Sequence, residues 1–253
     1  MAAAGLIHGQ NDGQVLLKRL SESARTNRLA AEKFLFSEEI TRLRRDARGE
    51  KELARRTYEV SFLEGENYYR LTGVNGAPLQ LDDEMAEQER FHQTEEYRRR
   101  TPLEQRRKIA AKQERNRLKF DLEALVQTHR AKVAGKETVK GRKVTILDVA
   151  PAGRPKRPRN GNQWGQILAG RIWLDDETGY PVRAEMRQLI EWNMQPKDNE
   201  TTFEWIRLED AWLISLIRNV EPGPGGATLI TSQTYSAYSR FQAESKVTFT
   251  GPP

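Results

Sequence analysis

Three groups of side chains in this sequence have the chemistry to form a reactive or ligating centre: the histidines, one run of acids and one run of bases. His8, His92 and His129 are the only histidines in 253 residues. None has a second histidine or a carboxylate at a spacing that stands out as a metal-ligand set or an acid–base pair. Cysteine is absent, which removes thiolate catalysis, cysteine-based metal sites and disulfides. Asp175, Asp176 and Glu177 stand side by side, yet Thr178-Gly179-Tyr180-Pro181 follows at once, and acids in such company read as solvent-facing turn residues. Gly135-Lys136 lacks the rest of a phosphate loop, because Arg130 occupies the place of the first glycine and no Ser or Thr follows the lysine. There is no nucleophile elbow and no dinucleotide fingerprint. The residues argue against an enzyme, and neither a metal nor another cofactor is expected.

The bases are more suggestive. Pro151 to Gln163 holds Arg154, Lys156, Arg157 and Arg159 without an acid. These four side chains read either as a contact for phosphate, lipid headgroups or a partner protein, or as a connector kept soluble by its charge. A net charge of +6 favours acidic partners without choosing between nucleic acid and anionic lipid. No aromatic residue interleaves with the run before Trp164, so stacking platforms for single-stranded nucleic acid are missing. Nucleic acid is therefore not an expected partner, and a nucleic-acid-binding module built on residues 154–159 is the more distant alternative.

The elements that position these groups follow from periodicity. Residues 1–10 are small and mildly apolar without a basic start or a long apolar core, and read as a leader or the remnant of a signal peptide. No later run reaches the length of a membrane span. A helix is expected from Asn11 or Asp12 as N-cap, with Val15, Leu16, Leu17, Leu20 and Ala24 on one stripe. Phe34, Phe36 and Ile40 then alternate with polar residues. After Asp46-Ala47-Arg48-Gly49 come Tyr58, Val60 and Phe62, and after Glu64-Gly65-Glu66-Asn67 a third strand through Tyr68 to Thr72. These three strands make an antiparallel meander.

Residues 81–128 contain no glycine and one proline and read as a helical insertion. Thr101-Pro102-Leu103-Glu104 starts a second helix, so the insertion is a helical hairpin broken at Arg100. Asp82 to Glu96 carries seven acids against one base, and Arg98 to Lys119 ten bases against two acids. Antiparallel pairing of the two helices would neutralise much of this charge. Beyond the insertion the chain returns to strands, with a hairpin about Lys140-Gly141. Another has Ile172 and Leu174 alternating with Arg171, Trp173 and Asp175, and Val182, Ala184 and Met186 alternating with Arg183, Glu185 and Arg187. Further strands follow through Thr202–Leu208, Trp212–Val220 and two runs within Thr228–Thr250, giving about eight after the insertion. The fold class is α+β: one strongly curved antiparallel sheet with an N-terminal helix and the helical hairpin over its concave side, in a single domain over residues 11–250.

The sequence resembles the LolA/LolB-like family of periplasmic outer-membrane lipoprotein-sorting carriers. The residues that carry this are Tyr58–Gly65, Gly73–Leu79, Gly135–Arg142 and Ile172–Asp175 with Gly179–Arg183, in order around a helical insertion. The resemblance implies a half-open β-barrel lidded by helices, with an apolar cavity for the acyl chains of a lipid or lipoprotein, and membrane-bound donor and acceptor proteins. A monomer in the periplasm is expected. The apolar strand faces give the expected cavity lining: Phe34, Phe36, Tyr58, Val60, Phe62, Ile172, Leu174, Val182 and Met186. The plainer alternative is that these residues form core between sheet and helices. The family also implies an arginine on an early strand that holds the lid, and Arg42 and Arg70 both lie on early strands. A sensor of the same fold that binds a protein partner is the first alternative to a carrier.

Overall fold

The computed structural model describes residues 3–114, 120–193 and 195–241. A first meander comprises β1 (Phe34–Asp46), β2 (Gly49–Leu63), β3 (Glu66–Val74) and the two-residue β4 (Ala77–Pro78). A second comprises β5 (His129–Val139), β6 (Arg142–Pro151), β7 (Leu168–Asp175), β8 (Pro181–Gln188), β9 (Glu200–Leu208), β10 (Ala211–Pro222) and β11 (Thr228–Arg240). β11 returns against β1, so all 11 strands form one antiparallel sheet in the order β4-β3-β2-β1-β11-β10-β9-β8-β7-β6-β5. The sheet does not close, and β4 and β5 are its edges. Turn chemistry sets the register. Glu64-Gly65, Asn75-Gly76 and Lys140-Gly141 each place two successive residues at positive φ, the mirror-image turn whose twist suits a tight hairpin.

The strand after the insertion that sequence alone would add lies beyond β11, outside the described residues. Short β4 takes its place in the total, because Asn75-Gly76 turns the chain back for one more pair against β3.

Helix α1 (Ala3–Ala31) begins upstream of the expected cap at Asn11 or Asp12, since the alanines before it are strong helix formers and no proline intervenes. It crosses the sheet diagonally. Gly13 lies against the backbone of Ala131 and Lys132 on β5, while Asn27, about 21 Å further along the axis, meets Trp212 on β10. Its stripe Leu17, Leu20 and Ala24 packs in one cluster with Leu147, Leu168, Ile172, Leu174, Ala184 and Met186, and these six strand residues are at most 2% exposed. The β5–β8 half of the sheet is therefore filled by the helix.

The insertion forms α2 (Leu81–Arg100) and α3 (Leu103–Glu114), followed by the single turn α4 (Leu125–Thr128); residues 115–119 lie outside those described. Among the described residues its charges are met within α2 and at the strands, and the expected pairing of helix with helix falls partly on side chains outside those described. Acids and bases of α2 pair along the helix, as in Glu95–Arg99 and Glu96–Arg100, where side chains four residues apart already meet. Other bases turn to the β2–β3 connection. Arg98 donates to the carbonyls of Leu63, Glu66 and Asn67 at 2.8–3.0 Å, and Arg106 to Glu66 and the Glu64 carbonyl. Tyr68 donates to the buried Glu87 at 2.9 Å beneath α2 and makes an edge contact with Phe91. Burial, and then the Glu87 carboxylate, hold the Tyr68 hydroxyl well above its ordinary pKa.

Candidate functional site: two openings beside a peeled ribbon

The ladder breaks twice at one end of the sheet. β8 pairs with β9 only as far as Arg183 opposite Glu204, and β11 pairs with β10 only as far as Leu216 opposite Thr234. Beyond those points β9 and β10 pair with each other alone, and a bulge between Ile214 and Leu216 marks where this two-stranded ribbon leaves the sheet. An opening lies on each side of it.

The first opening is a cleft of about 470 Å³ between the ribbon, β1, β11 and the C-terminal half of α1. Ala31, Phe36, Trp205, Trp212, Ile214 and Tyr238 supply its apolar wall, and the charged Arg28, Glu32, Asp121 and Glu123 line it as well. Splitting the ladder leaves backbone groups of β10 without a strand, and side chains replace it. The Asn27 amide donates to the Trp212 carbonyl at 2.8 Å and accepts from the Trp212 N–H at 2.6 Å, standing in for a neighbouring strand; the Tyr238 hydroxyl donates to the Ile214 carbonyl. Tyr180 stacks on Trp212 with centroids 5.7 Å apart and meets Trp205 edge-on. Burial pushes its hydroxyl up to about 12 against the opposing influence of Asn27, so Tyr180 stays neutral beneath the tryptophans. Across the cleft's far end Arg240 ties β11 to the ribbon tip through Glu209 and Asp210 and lies over the ring of Phe34.

The second opening, of about 300 Å³, lies in the gap between β8 and β9 and is overhung by the β5–β6 turn. Lys140, Arg142, Arg183 and Arg207 line it with Glu204 as the one acid, and Trp205 and Trp212 form a wall shared with the first cleft. Arg142 lies over the Trp212 ring at 5.1 Å and donates to the buried Asp175 at 2.6 Å. Burial alone would raise the Asp175 carboxyl, but bonds from Arg142 and Thr178 outweigh it and hold the group below its ordinary pKa. The acids at the β7–β8 turn thus act as structural acceptors. Arg19 of α1 also donates to the carbonyls of Asp176 and Glu177.

The expected lining residues fall in different places. Phe36 lines the first cleft and Val182 the second. Phe34 is buried with Ala211 and Leu213 where the ribbon tip rests on the end of α1. Val60 lies opposite Phe36 in the β1–β2 register and is buried, Tyr58 lies opposite Glu38, and Phe62 meets Phe241 edge-on at 4.8 Å. Ile172, Leu174 and Met186 are packed in the cluster that α1 fills. Arg154, Lys156, Arg157 and Arg159 are all exposed, on the loop after β6 at the end of that strand remote from Lys140. Of the two early-strand arginines, Arg42 is exposed on β1 and Arg70 pairs with Glu59 at 3.8 Å, whereas Arg98 on the helix reaches into the strands. His129 is buried with its Nε2 3.0 Å from the Leu168 carbonyl, and burial lowers its pKa despite that carbonyl. His92 is exposed beside Glu95, and the side chain of His8 lies outside those described. Among the described residues no group of three His, Asp or Glu is placed to hold a metal ion.

Asn27, Trp205, Trp212 and Tyr238 are the residues that sequence reasoning passed over. Two signals pointed to the first three: an asparagine continuing the apolar stripe Leu17, Leu20, Ala24 at helical spacing, and tryptophans on either side of the Glu209-Asp210 turn.

No protein-family model matches the chain, and no curated protein matches it. Among solved structures it is similar to a domain given as an outer-membrane lipoprotein-sorting protein from Vibrio parahaemolyticus, at 13% identity over 91% of this chain and 95% of that one, with a TM-score of 0.39. It is also similar to a LolA-superfamily protein from Nitrosomonas europaea, at 8% identity over 87% and 94% with a TM-score of 0.31. A third is the MucA/MucB complex of Pseudomonas aeruginosa, at 13% identity over 92% and 100% with a TM-score of 0.26. With every TM-score below 0.5, these likenesses carry no functional argument, and the geometry beside the ribbon must carry it.

Proposed function

We propose that this protein is a non-enzymatic binder or carrier that takes the acyl chain of a lipid or lipoprotein into the cleft between α1, β1, β11 and the β9–β10 ribbon. The observation that supports it is the cleft itself: about 470 Å³, inside the range of roughly 300–1,000 Å³ typical of small-molecule sites, with an aromatic and aliphatic face built from Phe36, Trp205, Trp212, Ile214 and Tyr238 beside the charged Arg28, Glu32, Asp121 and Glu123. An acyl chain gains about 0.8 kcal/mol for each CH₂ withdrawn from water, so roughly ten buried carbons supply about 8 kcal/mol before the cost of ordering the chain. The lining set is accordingly Ala31, Phe36, Trp205, Trp212, Ile214 and Tyr238. Such a carrier works in the periplasm as a monomer, between membrane-bound donor and acceptor proteins, without catalysis or a cofactor. The exposed Arg154, Lys156, Arg157 and Arg159 offer the contact for headgroups or partner.

The test is a titration of the purified chain with a fluorescent fatty acid, alongside an Ala31→Trp variant that fills the cleft from the end of α1. Binding by the parent and at least roughly tenfold weaker binding by the variant is expected, equivalent to about two lost methylene contacts, with the variant still folded by circular dichroism. Equal binding by both proteins refutes the cleft as the site. No binding by the parent, with no lipid carried through purification, favours the protein-partner sensor.

A further inference from the structure

The second opening has a chemistry that an acyl-chain cleft does not need. Among the described residues four cations line it against one acid, and two of the side chains that line it carry a buried N–H without an acceptor: Nε1 of Trp212 and Nε of Arg183. Trp212 is only 6% exposed, and an indole N–H is a donor with no other way to be satisfied. Buried donors are bonded in the great majority of cases, so an orphan on a side chain that walls a cation-lined opening is a donor available to an acceptor from outside the chain once the neighbouring side chains move aside.

The present partners of the cations are weak competitors. Lys140 pairs with Glu204 at 2.9 Å, Arg207 with Glu177 at 3.4 Å, and Arg183 with Glu185, all at least partly in solvent. Exposed pairs of this kind contribute about 0 to 1 kcal/mol, so an oxyanion can draw these side chains away. Arg142 is held by the buried Asp175 at 2.6 Å and by the exposed Glu177, which it shares with Arg207, at 3.2 Å, and it presents its guanidinium over the Trp212 ring.

We propose that the gap between β8 and β9 binds a phosphate-type oxyanion, recognised by Lys140, Arg142 and Arg207 and by the indole N–H of Trp212, and that this oxyanion is the head of the amphiphile whose chain occupies the neighbouring cleft. Because Trp205 and Trp212 line both openings, head and chain are separated by the thickness of those side chains. This rests on the cleft reading above, but only for the chain. The basic loop of residues 154–159 lies at the other end of β6, roughly 33 Å away along the strand, and is a separate feature.

Calorimetric titration of the full chain with three probes tests it: a short-chain phosphatidic acid, the neutral monoacylglycerol of the same chain length, and inorganic phosphate. Phosphatidic acid is expected to bind at least tenfold more tightly than monoacylglycerol, with an affinity that falls as salt rises, and phosphate is expected to compete with it. The double variant Lys140→Gln, Arg207→Gln should abolish the advantage and the salt dependence while leaving monoacylglycerol binding unchanged. Trp212→Phe, which keeps an aromatic ring and removes the N–H, should lose about tenfold for phosphatidic acid. If Trp212→Phe fails to fold, the double variant still decides. Equal affinities for the two lipids, or an advantage that survives the double variant, overturns the oxyanion site and leaves the cleft reading standing. Binding of phosphate without either lipid upholds the oxyanion site as one for free phosphate and removes the cleft reading. Silence with all three probes removes both.

Discussion

Asn27 is the most informative single side chain to change, because it replaces a missing strand. Its amide satisfies both the N–H and the C=O of Trp212 on the edge that β11 has left. Truncation by Asn27→Ala forfeits two bonds at about 0.5–1.5 kcal/mol each, and if both groups stay dry the loss approaches about 1–3 kcal/mol apiece. Because Asn27 lines the cleft, water can reach the vacated edge, which favours the lower part of that range. The expected cost is about 2–3 kcal/mol, a fall of roughly 4–12 °C in thermal midpoint for a chain of this size. Asn27→Asp sharpens the test. It keeps the acceptor for the Trp212 N–H but sets a carboxylate oxygen against the Trp212 carbonyl, so its ionised form is destabilised and its folded pKa is raised. The protonated acid can donate to that carbonyl. Relative to the parent, the variant should therefore recover stability as the pH falls through the raised pKa, the opposite of the usual acid loss. The assay is urea unfolding of the three proteins over a series of pH values. A cost below about 0.5 kcal/mol for Asn27→Ala, or no relative recovery of Asn27→Asp in acid, refutes the account of the edge.

Two further outcomes follow from the packing of α1 and β5. Gly13→Ala would ordinarily stabilise a helix by about 1 kcal/mol, but a Cβ there would lie 2.5 Å from the Ala131 carbonyl oxygen and 2.6 Å from Lys132 Cα. The expected result is a net loss of roughly 1–3 kcal/mol from overpacking, and a raised urea midpoint would refute it. His129 is kept neutral by burial, so the unfolded chain binds a proton that the folded chain refuses between the lowered pKa and the ordinary value of 6.5. Stability should fall as the pH drops below 6.5, and His129→Gln, which can still donate to the Leu168 carbonyl, should flatten that slope. An unchanged slope would show that His129 does not set it.

Much of the sheet was legible because its signals are local. Alternation along Phe34–Ile40 and Ile172–Leu174, the paired turn residues at Lys140-Gly141, and the helical stripe Leu17–Leu20–Ala24 each specify geometry within a few residues. The cavity was less legible because it depends on where pairing stops. Alternation identifies Ile172, Leu174, Phe36 and Phe62 equally as one-faced, and nothing in the strands says that α1 covers the first two and leaves Phe36 beside a cleft. The partners of the insertion's charges were hidden for the same reason. Its acid and base blocks are visible in the sequence, but carbonyls of the β2–β3 turn, which Arg98 takes, leave no trace in residue type.

The split ladder itself argues that the openings are maintained rather than incidental. If β8 and β11 ran on beside β9 and β10 to the ribbon tip, backbone would satisfy backbone and no special side chain would be required. Instead a buried asparagine and a tyrosine hydroxyl are spent on the β10 edge, a bulge turns the ribbon out of the sheet, and Arg240 spans its tip. Filling the gap with larger side chains would be the simpler route to stability, as α1 shows against β5–β8. Sequences that break a local rule and support the break with several unrelated residues tend to do so where something binds. Those supports surround Trp212, the side chain common to both openings that also carries an orphan N–H, so under the proposal above the ribbon is where chain and head of a ligand would meet.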